Sequence, residues 1–228
     1  MKIYDRSGFP NPARIRIVLA EKDLDARIEF ISVDLIAAEH KQPPFLAKSR
    51  SGVLPILELD DGTIISESTA ITEFLDNLEG HPTLTGTTPR DKAIIHMMQR
   101  RAEVELIDAV GIYFHHATPG LGPLLQVHKA PDWAKRAAWG NMHREKAVVG
   151  MRYFDDVLRA SPYVAGATFS MPDITVFCGL MFADAAGISI ADDLTALHAW
   201  RSRVSKRPAV RNRSGQNFLP EDAKRLGL

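Results

Sequence analysis

Cysteine is nearly absent from this chain: Cys178 is the single one in 228 residues. A lone thiol excludes an internal disulfide, a Cys-x-x-Cys redox pair and a zinc site built on cysteines. It fits a reducing, cytoplasmic compartment. An excess of either charge is missing too, since 28 Lys and Arg meet 28 Asp and Glu. Nothing in that balance points to nucleic acid or an anionic membrane as a partner. The one basic concentration, Arg201 to Arg213, reads as the solvated side of a last helix and its tail. No run of 18 apolar residues occurs, so no membrane span is expected. The opening "MKIYDRSG" lacks the apolar stretch of a secretion signal. Internal repeats and low-complexity tracts are also lacking.

What is present suits one large domain or two modest ones, with 45% hydrophobic and 25% charged residues. The first 80 residues mix two periodicities. "KIYD" (2–5) and the alternating "RIEFISVDL" (27–35) read as strands. "PARIRIVLAEK" (12–22), "PPFLAKS" (43–49) and "STAITEFLDNL" (68–78) read as helices. "PILELDDGTII" (55–65) reads as a hairpin turning at Asp61-Gly62. The order is β-α-β-α-β-β-α, a parallel pair extended by antiparallel strands. Residues 81–89, within "EGHPTLTGTTPRD", carry Gly, Pro and Thr and read as a linker. Residues 90–228 read as all-helical, with helices over 90–116, 131–159, 172–186 and 193–206 and a short one near 221. At 169–174, Ser170 caps a helix, Asp173 reaches back to it and Phe169 staples onto Ile174. That cluster is folding machinery.

The segment "SGVLPILELDDGTIISESTAI" (51–71) asks for a function. Pro55 cannot donate to a sheet ladder. It belongs at an edge, or in a cis bond after Leu54 whose flanking backbone faces a ligand. Val53 would then offer its N–H and C=O to a peptide-like ligand, as an added strand does. Ser68 opens a helix, where free N–H groups favour an anion. Glu67 beside it would hold a cation. A ligand with a carboxylate and an ammonium on one carbon, joined to a peptide, satisfies all three, and glutathione has that shape.

These stretches resemble the cytosolic glutathione transferases over residues 1 to 210: a thioredoxin-like α/β domain followed by an all-α helical domain with the "FSMPDI" cap. "KQPPFLAK", "PTLTGTTP" and "YFHHATPGLGP" (113–123) are similar to a subgroup from fungi and bacteria. The resemblance implies that Val53 bonds the cysteinyl backbone, that Leu54–Pro55 is cis, and that Glu67 and Ser68 hold the γ-glutamyl end. It sets His40 and Lys41 near the glycine carboxylate. It also implies a homodimer, with Arg100, Arg101, Glu103 and Glu105 available for polar contacts across a two-fold axis.

The chemistry implied is attack by the glutathione thiolate on a small hydrophobic electrophile, with glutathione as co-substrate and no metal. A free thiol of pKa about 8.5 is only slightly ionised at neutral pH, so an activator is needed. Most of the family uses Tyr, Ser or Cys near the start of the first helix. "YDRSGFPNPARIRI" offers Ser7 in the loop and Asn11, whose amide can donate to a thiolate, while Tyr4 sits inside a strand and reads as core. The subgroup resemblance implies instead a water held by two side chains of the second domain, matching Gly111 and His115 here. His115 suits that role, and Gly111 stands where the subgroup pattern has serine. Gly111 either makes room for water or substrate, or marks close helix packing. Phe9, Gly111, Tyr113 and His116 could line the electrophile site. His115 and His116 lack ligand partners four residues away, so a metal site is not expected. Two alternatives stand beside conjugation: glutathione-dependent disulfide reduction or isomerisation, and a non-catalytic glutathione-binding module.

Overall fold

A computed structural model describes residues 1–227, with Ala134 described in its backbone only. The first strand, β1 (Lys2–Asp5), leads into helix α1 (Pro10–Glu21) and then strand β2 (Glu29–Ser32). A short helix α2 (Pro43–Leu46) precedes the hairpin β3 (Ile56–Glu58) and β4 (Ile64–Ser66), and helix α3 (Ser68–Asn77) follows. The sheet runs β2-β1-β3-β4, with β1 parallel to β2 and the other pairs antiparallel. This is the thioredoxin-like β-α-β-α-β-β-α order expected from the alternation of periodicities. The hairpin closes at Asp61-Gly62, where Gly62 has φ +84° and Asp61 accepts a bond from the Thr63 backbone.

The second half is helical, as expected. Helix α4 (Pro89–Ala102) passes through one wide π-turn segment (Glu103–Ile107) into α5 (Asp108–Ala117). After α6 (Pro123–Gln126) come α7 (Ala137–Ala160), α8 (Met171–Ala185), α9 (Thr195–Val204), α10 (Pro208–Arg211) and α11 (Pro220–Leu226). Every residue of α8 from Met171 to Leu180 is buried, so this helix is enclosed on all sides, as its mostly apolar sequence requires. Ser170 and Asp173 form the expected capping box. Asp173 also accepts bonds from the Val164 backbone and the Trp200 indole, and burial pushes its pKa up to about 6. The π-turn packs against two glycines. A Cβ on Gly150 would lie 2.1 Å from the Glu105 carbonyl oxygen, and one on Gly179 would lie 2.9 Å from Leu106. Among the described residues no helix is long and apolar enough to cross a membrane.

The chain forms two compact units. One comprises residues 1–75, 121–130 and 212–227; the other comprises 76–120 and 131–211. The sequence division at 81–89 differs from this: residues 76–89 join the second unit, and residues 121–130, expected with the helical domain, join the first. The tail beyond 211, expected with the helical domain, returns to the first unit. There Arg6 pairs with buried Asp222, Gly8 N–H donates to Gly215 and Phe218 packs edge-on against Phe9. The 81–89 stretch is anchored rather than loose. Asp76, fully buried, accepts backbone bonds from Thr83, Leu84 and Thr85, and the Leu84 carbonyl accepts from Met171.

Candidate functional site

Strand register brings the candidate segments of the first unit together. Ile56 pairs with Ser66 on one side and with Tyr4 on the other. Residues 53–55 and 67–68 therefore adjoin the same end of the β3–β4 hairpin, the end from which the chain also leaves β1. The peptide bond before Pro55 is cis. Val53 is half-exposed, and its backbone has no hydrogen-bond partner among the described residues. It is free to pair with an extended ligand, while Leu54 and Pro55 are buried beneath it.

Glu67 is exposed and has φ +71°, a conformation non-glycine residues rarely adopt. Such strain persists where the surrounding structure enforces it, and it gathers at binding sites. Ser68 is the first residue of α3 and is buried. The Glu67 carbonyl accepts from Ile71 and the Ser68 carbonyl from the Thr72 hydroxyl, which fixes the first turn. An acidic side chain and a helix N-terminus thus lie side by side, suited to an ammonium and a carboxylate.

The start of α1 is unusual because of its prolines. Phe9 is the N-cap and makes no side-chain cap. Pro10 and Pro12 have no N–H to offer, and the Ala13 N–H is bonded to Phe9. Asn11 alone in that first turn presents both a backbone N–H and an amide, at the positive end of the helix dipole. Arg14, buried on the same helix face, reaches the Asn11 amide oxygen at 3.3 Å. Ser7 is half-buried in the loop before it. Phe9 is buried with Phe218 against it, so the tail occupies one edge of this residue. Tyr4 is core, as expected, with its hydroxyl bonded to Glu58 at 2.6 Å.

His40 and Lys41 lie in a short 3₁₀ turn (Glu39–Lys41) before α2. Lys41 Nζ donates to the carbonyls of Gly52 at 2.5 Å and Ser51 at 3.5 Å, which braces the chain entering Val53. Gly52, with φ +53°, leaves the room this needs: a Cβ there would lie 2.8 Å from the His40 carbonyl. His40 is 5% exposed, and its Nδ1 has no partner among the described residues. Burial, with smaller contributions from Lys41 and His128, pushes its pKa down to about 4. The imidazole is therefore neutral near pH 7, and burial also holds Lys41 below its ordinary value.

In the second unit, Gly111, Tyr113, His115 and His116 share α5 and are all half-buried. The His115 carbonyl accepts from the Trp133 indole at 2.9 Å. His116 stacks on Trp133 at 3.7 Å and meets Trp139 edge-on, so its ring is built into an aromatic cluster. A Cβ on Gly111 would touch only the Phe182 ring, at an ordinary 3.5 Å. Close backbone packing is therefore not what requires glycine at this position, in contrast with Gly150. Among the described residues no cluster of His, Cys, Asp and Glu is placed to hold a metal ion.

Sequence reasoning did not single out Arg14 or Phe218. Arg14 and Arg16 alternate within an apolar helix, and a charge in such a run signals a buried partner. Arg16 finds Asp5 at 2.7 Å and Ser214 at 2.9 Å. Phe218 carries no local signal, because its partner lies at the other end of the chain.

Comparison with known proteins accords with this geometry. Residues 10–78 match the glutathione S-transferase N-terminal domain, and residues 112–208 match the glutathione S-transferase C-terminal domain. The chain is 53% identical to glutathione S-transferase 2 of Saccharomyces cerevisiae, over 92% of this chain and 88% of that one. The crystal structure of Gtt2 from Saccharomyces cerevisiae superposes with a TM-score of 0.89 at 52% identity, covering 93% of this chain and 99% of that one. A glutathione S-transferase domain-containing protein of Marinobacter aquaeolei superposes with a TM-score of 0.86 at 47% identity, over 92% and 100% of the two chains. With its sheet order, its two matched domains and a relative this similar along most of its length, the chain belongs to the glutathione S-transferase family.

Proposed function

We propose that the chain conjugates glutathione to small hydrophobic electrophiles. The observation that carries this reading is the grouping, at one end of the sheet, of the unpaired Val53 backbone, strained Glu67, buried Ser68 and the proline-flanked Asn11. In this reading Val53 pairs with the cysteinyl residue, Glu67 takes the γ-glutamyl ammonium and Ser68 takes its carboxylate. His40 and Lys41 serve the glycine end. His40 there is a neutral donor, with Nδ1 available, rather than a cation.

The sulfur then lies by the start of α1, where the Asn11 N–H groups and the helix dipole stabilise a thiolate. Asn11 does not accept the thiol proton, which passes to water. The thiolate attacks an electrophilic carbon and a C–S bond forms. The leaving group departs with its electron pair, or in an addition the new carbanion takes a proton. Lowering the thiol pKa by about two units makes the thiolate the major form at pH 7, a differential stabilisation of about 2.7 kcal/mol.

The assembly proposed is a homodimer. Helix α7 exposes Trp139, Met142, Val149 and Tyr153 at helical spacing, and Met97 is exposed on α4. Glu105, named among the candidate interface charges, pairs within its own protomer with Arg101 and Lys146, so the apolar stripe is the stronger support. Retention on immobilised glutathione, followed by turnover with an activated aryl chloride and with a mixed disulfide, tests the function. Turnover of the chloride supports conjugation. Turnover of the disulfide alone moves the reading to redox chemistry, and retention without either leaves a binding module.

A further inference from the structure

Arg14 is charged, yet only 6% exposed, and the chemistry above makes no use of it. It stands three residues after Asn11, on the same face of α1. Its Nη1 lies 3.3 Å from the Asn11 Oδ1, and its Nη2 lies 3.4 Å from the Thr69 Oγ1. A guanidinium carries donors only, so the amide oxygen must be the atom of Asn11 that faces it. The amide NH₂ is thereby turned the other way. Thr69 directly follows Ser68 in the first turn of α3. One rigid fork therefore spans the start of the helix beside the sulfur and the start of the helix beside the γ-glutamyl group.

We propose that Arg14 is a positioning residue: its guanidinium fixes the Asn11 amide with both Nδ2 hydrogens directed away from itself toward the thiol, and holds the first turns of α1 and α3 at one spacing. The inference deepens the proposed function and rests on residues 7–11 and 67–68 forming the glutathione site. An amide free to rotate would offer the thiolate its oxygen half of the time, and an oxygen repels an anion. A fixed amide stabilises the charged sulfur without reorganising as it forms. Lysine keeps the charge but loses the two-pronged geometry, so Arg14→Lys removes the orienting function selectively.

The test is a double-mutant cycle read on the pKa of bound glutathione, from thiolate absorbance against pH, and on kcat/KM with an aryl chloride. Arg14→Lys should raise the bound pKa by about one unit and lower kcat/KM roughly tenfold. Thr69→Val should shift the pKa the same way by less. In an Asn11→Ala background, Arg14→Lys should add no further shift, because it acts through Asn11. An unchanged bound pKa in Arg14→Lys, or its full effect persisting without Asn11, overturns the inference and leaves the transferase reading standing. A wild-type thiol held at its free pKa sinks the site reading itself, and this inference with it. Should Arg14→Lys fail to fold, Thr69→Val at its half-buried position decides: a raised pKa supports the inference and an unmoved one overturns it.

Discussion

Arg6 grips Asp222 at two points, with Nε 2.5 Å from one carboxylate oxygen and Nη2 2.8 Å from the other. The two residues are 216 positions apart, and Asp222 is fully buried. Arg6 also reaches the Ser32 hydroxyl at the end of β2, so the end of the chain is fastened to the strands that carry the candidate site. Removing one partner strands a buried charge. Asp222→Ala should cost about 3–5 kcal/mol in urea unfolding. Replacing both partners, Arg6→Met with Asp222→Leu, should recover most of that loss. A single variant as stable as wild type would mean the tail contributes nothing to the fold.

Two helix-interior glycines should behave in opposite ways. Gly150 faces the Glu105 carbonyl, where a Cβ would fall at 2.1 Å. Gly150→Ala should destabilise by about 1–3 kcal/mol or more, because backbone must move. Gly111 has only an ordinary contact at 3.5 Å in the same direction. Gly111→Ala should be neutral or stabilising by up to about 1 kcal/mol, from helix propensity. Thermal melts of the two variants check the pair, and equal losses would refute the contrast.

His40 supplies a pH prediction. Its pKa of about 4 lies below the ordinary 6.5, so the unfolded chain binds more protons between those values. The contribution of His40 is intact above pH 6.5, falls as pH drops through that window, and is fully lost below about 4. The full span is on the order of 3 kcal/mol. Asp173 acts the other way. With its pKa raised from 3.8 to about 6, it adds stability as pH falls through that range. The clean measurement is therefore wild type against His40→Gln in denaturant at several pH values. The stability difference should move against wild type on acidification; a constant difference would contradict the depressed pKa.

At the γ-glutamyl end, Ser68→Ala should weaken glutathione binding by roughly ten- to a hundredfold, the range for a hydrogen bond to a charged group. The change should appear in KM for glutathione, with kcat nearly unchanged. A loss confined to kcat would place Ser68 in the chemical step instead.

Legibility followed the range of each interaction. The strand-helix order, the hairpin at Asp61-Gly62, the cap at Ser170 and Asp173, and the Val53 to Ser68 segment are local patterns, and all can be read from short windows. The family resemblance came from the same windows. The return of the tail was invisible, because Phe218 and Asp222 meet Phe9 and Arg6 only through the fold. The π-turn at Glu103–Ile107 left no trace in an apolar pattern that continues through it. Arg14 hid for a related reason: helical spacing marks faces, and it says nothing of which charges a closely packed face encloses. The stacking of the His116 ring on Trp133 was hidden likewise, because no local spacing links the two residues.

The central claim is that the first unit binds glutathione and ionises its thiol. The most direct measurement is the absorbance titration of glutathione bound to the wild-type protein. The account predicts a bound pKa near 6–7, about two units below the free thiol. A bound pKa at the free value of about 8.5 would contradict it, leaving a site that holds glutathione without activating it.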